Sequence, residues 1–163
     1  MIWSGNYTLN LFNTETAKAI ELSSVCISPE LDKETISSLN VPQHKEVIAY
    51  GNLPLMNSNY CLLGKSNKCY KDCSKLCMKN SIYYLKDRLG FLFRVMPDNI
   101  DTFTTIYNSK TTSISLEGLN SDFARIDILD ESVDEINFIV SKVINKEKIE
   151  GSKYTNGNLN KFV

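Results

Sequence analysis

Apolar and polar positions recur at two different periods along this chain and divide it into short strand-like and helix-like steps. Residues 7–12, Tyr7-Thr8-Leu9-Asn10-Leu11-Phe12, alternate at period two and predict a strand. Asn13-Thr14-Glu15-Thr16 then supplies a capping side chain and early acidic charge, so a helix is expected to about residue 22. Val25-Cys26-Ile27 reads as a short buried strand. Ser28-Pro29-Glu30-Leu31 places a cap before a proline at the first helical position, which predicts a helix towards residue 39. Residues 46–50 predict another strand, closed by Gly51. The same steps resume later: a strand at 104–107 with a helix near 116–120, then a strand at 124–128 with a helix over about 132–145. In that last helix Val133, Ile136, Ile139, Val140 and Val143 form one apolar stripe, suited to packing on a sheet.

The middle of the chain breaks this rhythm. Residues 82–87 and 91–95 flank Arg88-Leu89-Gly90 and predict a β-hairpin with glycine in its turn. A cysteine-rich loop precedes it. Loop and hairpin together form an expected insertion at 57–97 in a repeating βα pattern. Repeated βα units point to a parallel sheet, as a barrel or an open doubly wound sheet. No Gly-rich dinucleotide fingerprint is present, which argues against a nucleotide-binding version.

The sharpest chemistry lies in that loop. Cys61, Cys69, Cys73 and Cys77, four of the chain's 5 cysteines, fall close together in a stretch rich in lysine. Thiols this close converge on one soft metal at little loop-closure cost, and the lysines offset the charge of four thiolates. Paired disulfides and inert buried thiols are the competing readings. The inert reading suits Cys26, which sits in the apolar run Ser24-Val25-Cys26-Ile27; the other four have polar neighbours. Zinc ribbons use two C-x-x-C knuckles, and none occurs here. Radical-type cluster loops use C-x-x-x-C-x-x-C, and the last spacing here is longer by one. Spacing therefore establishes clustered thiols and leaves iron–sulfur and zinc both open.

Composition adds limits. The 163 residues suffice for one domain with a sizeable core. A formal net charge of -1 gives no electrostatic footprint for nucleic acid or an acidic membrane. No uncharged apolar run reaches transmembrane length. Residues 1–10 lack the basic region and apolar core of a signal peptide, so a reducing, cytoplasmic setting is expected.

Further motifs carry a family resemblance. Tyr50-Gly51-Asn52-Leu53-Pro54-Leu55-Met56, followed by Tyr60-Cys61, resembles the signature of the collagenase-like U-32 peptidase family. The likeness continues through Tyr84-Leu85-Lys86-Asp87-Arg88-Leu89-Gly90 and Ile106-Tyr107-Asn108-Ser109-Lys110. It extends upstream to Gly5-Asn6-Tyr7-Thr8-Leu9-Asn10 and Ser28-Pro29-Glu30-Leu31, and downstream to Arg125-Ile126-Asp127 and Tyr154-Thr155-Asn156-Gly157. The resemblance implies the later half of a TIM-type (β/α) barrel, interrupted by the cysteine-loop and β-hairpin insertion. Residues 1–163 would then be a single partial U-32 peptidase-like domain with a closing tail at 147–163. A half-barrel leaves open sheet edges, so a missing barrel half or self-association is the implied partner.

The family implies two activities. It was named for peptidases, yet relatives carry a four-cysteine 4Fe-4S cluster and act in oxygen-independent hydroxylation of transfer-RNA uridine or the ubiquinone ring. The implied substrate is tRNA, or a protein or peptide in the peptidase reading; a non-catalytic metal-bearing subunit is the third reading. Cys61, Cys73 and Cys77 fit the family's cysteine region. Some relatives place a further cysteine where Thr102 stands, so Cys69 completes the set, or a cysteine from a missing half does, or the site is incomplete in this chain. Asn158 replaces a histidine common in the closing tail.

Local chemistry gives the peptidase reading little. A Cys–His dyad would have to recruit His44, the only histidine, in an expected loop after Pro42. A two-histidine zinc-protease helix is excluded by that count. Glu46 and Asp87 are carboxylates beside family motifs, with strand-end and turn roles as the plainer readings. Arg88 suits phosphate or carboxylate binding, or simply a turn flank. No catalytic residue is assigned.

Overall fold

The computed structural model describes residues 3–61, 77, 82–98 and 103–160. The chain divides into two compact units, one of Met1–Gly51 with Thr111–Val163 and one of Asn52–Lys110. Among the described residues the strands are β1 (Ser4–Gly5), β2 (Ser24–Cys26), β3 (His44–Gly51), β4 (Pro54–Ser58), β5 (Tyr83–Lys86), β6 (Leu92–Asp98), β7 (Phe103–Tyr107), β8 (Thr111–Ser113), β9 (Phe123–Ile126) and β10 (Tyr154–Thr155). The helices are α1 (Thr14–Lys18), α2 (Lys33–Ser38) and α3 (Val133–Ile144).

In the first unit β3 is the hub of a six-stranded sheet. It pairs parallel with β2 and with β9, while its last residues, Tyr50 and Gly51, pair antiparallel with β8. β1 continues the parallel order beyond β2, and β10 lies parallel to β8. Side chains alternate across these strands. Val25, Ile27 and Val47 face one core with Leu11, Ala17, Leu31, Ile36, Leu39 and Ile114. On the opposite side Tyr50, Ile139 and Ile149 form a smaller core that draws in Ile126, Val143 and Tyr154.

The first two helices are short because both ends are held, one by a local cap and the other by donors from farther along the chain. Asn13 and Asp32 accept backbone N–H bonds from Thr16 and Thr35, capping α1 and α2. At the other ends, the chain entering β3 supplies donors to carbonyls that a helix terminus leaves unpaired. Gln43 Nε2 donates to Ala17 O at 2.7 Å and Ile20 O at 2.6 Å, and buried Lys45 Nζ donates to Ile36 O at 2.8 Å. α3 is longer and carries a full capping box between Ser132 and Glu135.

The second unit is a four-stranded sheet in the order β4-β7-β6-β5, antiparallel at every pairing. Its β5–β6 hairpin turns at the expected place. Asp87 Oδ1 accepts from the backbone N–H groups of Leu89 and Phe91, both at 2.8 Å, and Gly90 takes φ 90°, a left-handed value that favours glycine.

The later half of a TIM-type barrel is therefore not the fold of this chain. The described residues hold ten strands in two sheets, and helices of only 5, 6 and 12 residues. The segment 104–107, expected to open a βα step, lies in the antiparallel sheet, where its threonines pair with β4 and β6. No helix forms near 116–120. Leu119 N–H closes a turn on Leu116 O, and Gly118 at φ 70° is poorly suited to a helix. The strand expected at 7–12 is a 3-10 turn, Tyr7–Leu9, capped by Asn6 and ended by Asn10 at φ 49°. Pro29 does not open α2; Ser28 O accepts from Leu31 in a turn, and Asp32 is the cap. Residues 46–50 and 124–126 do lie in parallel strands. Of the α3 stripe, Ile139 is buried and Ile136 and Val143 half-buried, while Val133 remains 73% exposed.

Candidate functional site

Of the clustered cysteines, Cys61 and Cys77 are described, and both lie in the second unit. Cys61 follows β4, after a bend in which Tyr60 N–H donates to Ser58 Oγ at 3.1 Å, and it is exposed. Cys77 is half-buried. Cys69 and Cys73 lie outside the described residues, as does Thr102. Among the described residues no group of three or more His, Cys, Asp or Glu side chains is placed to hold a metal ion. The fit of the donor set to a metal therefore rests on its chemistry: four thiols, of the two described one exposed and one half-buried, neither used as core filling.

Cys26 is a different kind of thiol. It has 0% exposure within β2, and burial first, then the Glu46 carboxylate beside it, pushes its pKa up to about 12. At neutral pH it stays protonated, which is the reverse of an activated nucleophile. His44 opens β3 instead of sitting in a loop. Its Nδ1 is 3.8 Å from Asp122 Oδ2 and its ring tilts against Phe123, with centroids 5.4 Å apart. The Cys26 thiol meets Ile27 O and Glu46 and feels the charges of Arg125 and Asp127, with His44 not among these groups, so no Cys26–His44 dyad is formed. Asp87 is used by its own hairpin turn, and Arg88 is exposed at the tip.

One constellation escaped the reading of the sequence. Arg125 Nε donates to Asp127 Oδ1 at 2.7 Å, and Arg125 Nη1 donates to Asn6 Oδ1 at 2.8 Å. Glu46 Oε1 is 3.7 Å from the same Nη1, and the guanidinium carbon lies 5.8 Å from the Tyr7 ring centroid. The hydrogen bond to Asp127 raises the guanidinium's pKa further above its already high ordinary value. Strand ends bring the group together. Cys26 is registered with Glu46 across β2 and β3, and Ile48 with Arg125 across β3 and β9. Gly51, at φ 146°, ends β3 against Asp127; a Cβ there would lie 2.7 Å from Asp127 Cβ. The signal in the sequence was the alternation Ala124-Arg125-Ile126-Asp127-Ile128, which puts two charges on one face of an otherwise apolar strand.

Comparison with protein-family models, curated proteins and solved structures gave no match to this chain. No helix among the described residues is long and apolar enough to cross a membrane.

Proposed function

We propose that this chain binds a metal centre through Cys61, Cys69, Cys73 and Cys77, and that the centre is a 4Fe-4S cluster. The observation that carries this reading is the contrast among its thiols. Cys26 is sealed in the core, whereas Cys61 is exposed and Cys77 half-buried, although free cysteine is ordinarily among the most buried residue types. Thiols kept out of a core and clustered in sequence suit ligation. The preference for iron–sulfur over zinc comes from the U-32 resemblance of the motifs around Tyr50-Gly51, Tyr60-Cys61 and Tyr84-Leu85-Lys86-Asp87. That resemblance also supports an oxygen-independent hydroxylation reaction, with tRNA uridine as substrate, in a reducing cytoplasm. When bound, such a cluster supplies electron transfer. This chain's contribution is four thiolates, with lysines along the intervening sequence to offset their charge.

The peptidase alternative receives no support from His44, which is engaged with Asp122 and Phe123. The test is anaerobic purification of the chain followed by iron, zinc and acid-labile sulfide analysis. About four iron and four sulfide per chain are expected for a complete cluster. Stoichiometric zinc without sulfide would replace the cluster with a structural clamp, and absence of both metals would overturn the proposal.

A further inference from the structure

Arg125 is held on two sides and open on the third. Nε and Nη1 are engaged by Asp127 and Asn6, while none of the described residues engages Nη2. Glu46 is in the converse position. Its side chain is only 21% exposed, yet its guanidinium neighbour stands at 3.7 Å, beyond hydrogen-bond range, and the Cys26 thiol is a weak donor. A guanidinium nitrogen unengaged by the described residues and a partly exposed carboxylate thus sit side by side, with the ring of Tyr7 beside the guanidinium.

Arg125 stands near the carboxyl edge of the sheet, and Glu46, near the start of β3, is registered with Cys26 at the end of β2. β1, β2 and β9 run parallel with β3 and end at Gly5, Cys26 and Ile126, so Asn6, Cys26, Arg125 and Asp127 gather at carboxyl ends.

We propose that this edge binds a neutral planar group carrying a carbonyl acceptor next to an N–H donor, such as a carboxamide. The carbonyl accepts from Arg125 Nη2, the N–H donates to Glu46, and the plane lies against Tyr7. Charge decides against the alternatives. An anion would satisfy Arg125 but meet Glu46 and Asp127, while a cation would satisfy Glu46 but meet the guanidinium. This site lies in the first unit and does not depend on the thiol centre.

Three probes of one shape separate these cases: benzamide, benzoate and benzamidine. The chain has three arginines, Arg88, Arg94 and Arg125, so the Nε–H resonance of Arg125 is readily assigned in a ¹⁵N spectrum by an Arg125→Lys variant. Benzamide should shift that resonance and bind about tenfold or more tightly than either charged probe, the scale set by one charge-assisted hydrogen bond. Glu46→Gln should weaken benzamide by a similar factor while the Nε–H signal persists. Asn6→Ala, in an exposed turn, provides the same test should the first variant fold poorly. Preference for benzoate or benzamidine would overturn the proposal in favour of an anion or cation site. No shift with any probe, or undiminished binding in the variants, would leave the network as a structural brace.

Discussion

Lys45 offers the most exacting test of the first unit. It is a lysine with 5% exposure, its Nζ donating at 2.8 Å to Ile36 O near the end of α2. Lys45→Met keeps most of the apolar stem and removes the ammonium. Loss of a hydrogen bond from a charged donor costs about 1.5–3 kcal/mol, and the released carbonyl lies near a helix end with no replacement donor. Relief from burying a charge offsets part of this. The net expectation is a destabilisation of about 1–2 kcal/mol at neutral pH, read by urea denaturation with circular dichroism. The pH dependence fixes the sign. Burial holds the folded Lys45 pKa below its ordinary value of 10.5. As pH rises towards that value, the folded chain releases its proton before the unfolded chain, so the parent gains stability that the variant lacks. The gap should therefore widen through the alkaline range below 10.5. A methionine variant as stable as the parent, or a gap that narrows with rising pH, would refute the assignment of Lys45 as a helix-ending donor.

Two further outcomes follow from burial and capping. Leu11→Ala removes a side chain of 0% exposure and should destabilise the chain by about 2.5–5 kcal/mol, whereas Leu89→Ala, at 74% exposure, should stay within about 0.5 kcal/mol in the same denaturation assay. Ser132→Ala breaks the capping box of α3. The backbone and hydroxyl of Ser132 hold the Glu135 carboxyl below its ordinary value of 4.5, so this support is present above that value and lost as pH falls through the lower folded one. The melting-temperature difference between parent and variant should consequently shrink on acidification, and a difference that grows would contradict the capping role.

Local signals in the sequence were reliable where one short segment decides its own structure. The hairpin at Arg88-Leu89-Gly90 was legible because Asp87 and Gly90 complete the turn without outside help. The helix beginning after Ser132 was legible for the same reason. Assembly of the steps was not. Strand signals at 46–50 and 104–107 look alike, but one joins parallel neighbours and the other an antiparallel sheet, a choice made by distant pairing. The early helices stop where Gln43 and Lys45, well outside them in sequence, supply donors to their final carbonyls. The Arg125 network was missed because its members, Asn6, Glu46 and Asp127, come from three separate stretches of chain. For the thiols, sequence supplied the cluster, and the structure added the contrast between buried Cys26, exposed Cys61 and half-buried Cys77.

Serine substitution under anaerobic conditions tests the thiol centre most directly. Parent chain, Cys73→Ser and Cys26→Ser are to be reconstituted with iron and sulfide, and their visible absorbance and iron content measured side by side. The account predicts that Cys73→Ser loses the cluster absorbance and its iron, while Cys26→Ser, whose thiol is buried beside Glu46, keeps both. Equal metal content in all three chains would contradict it.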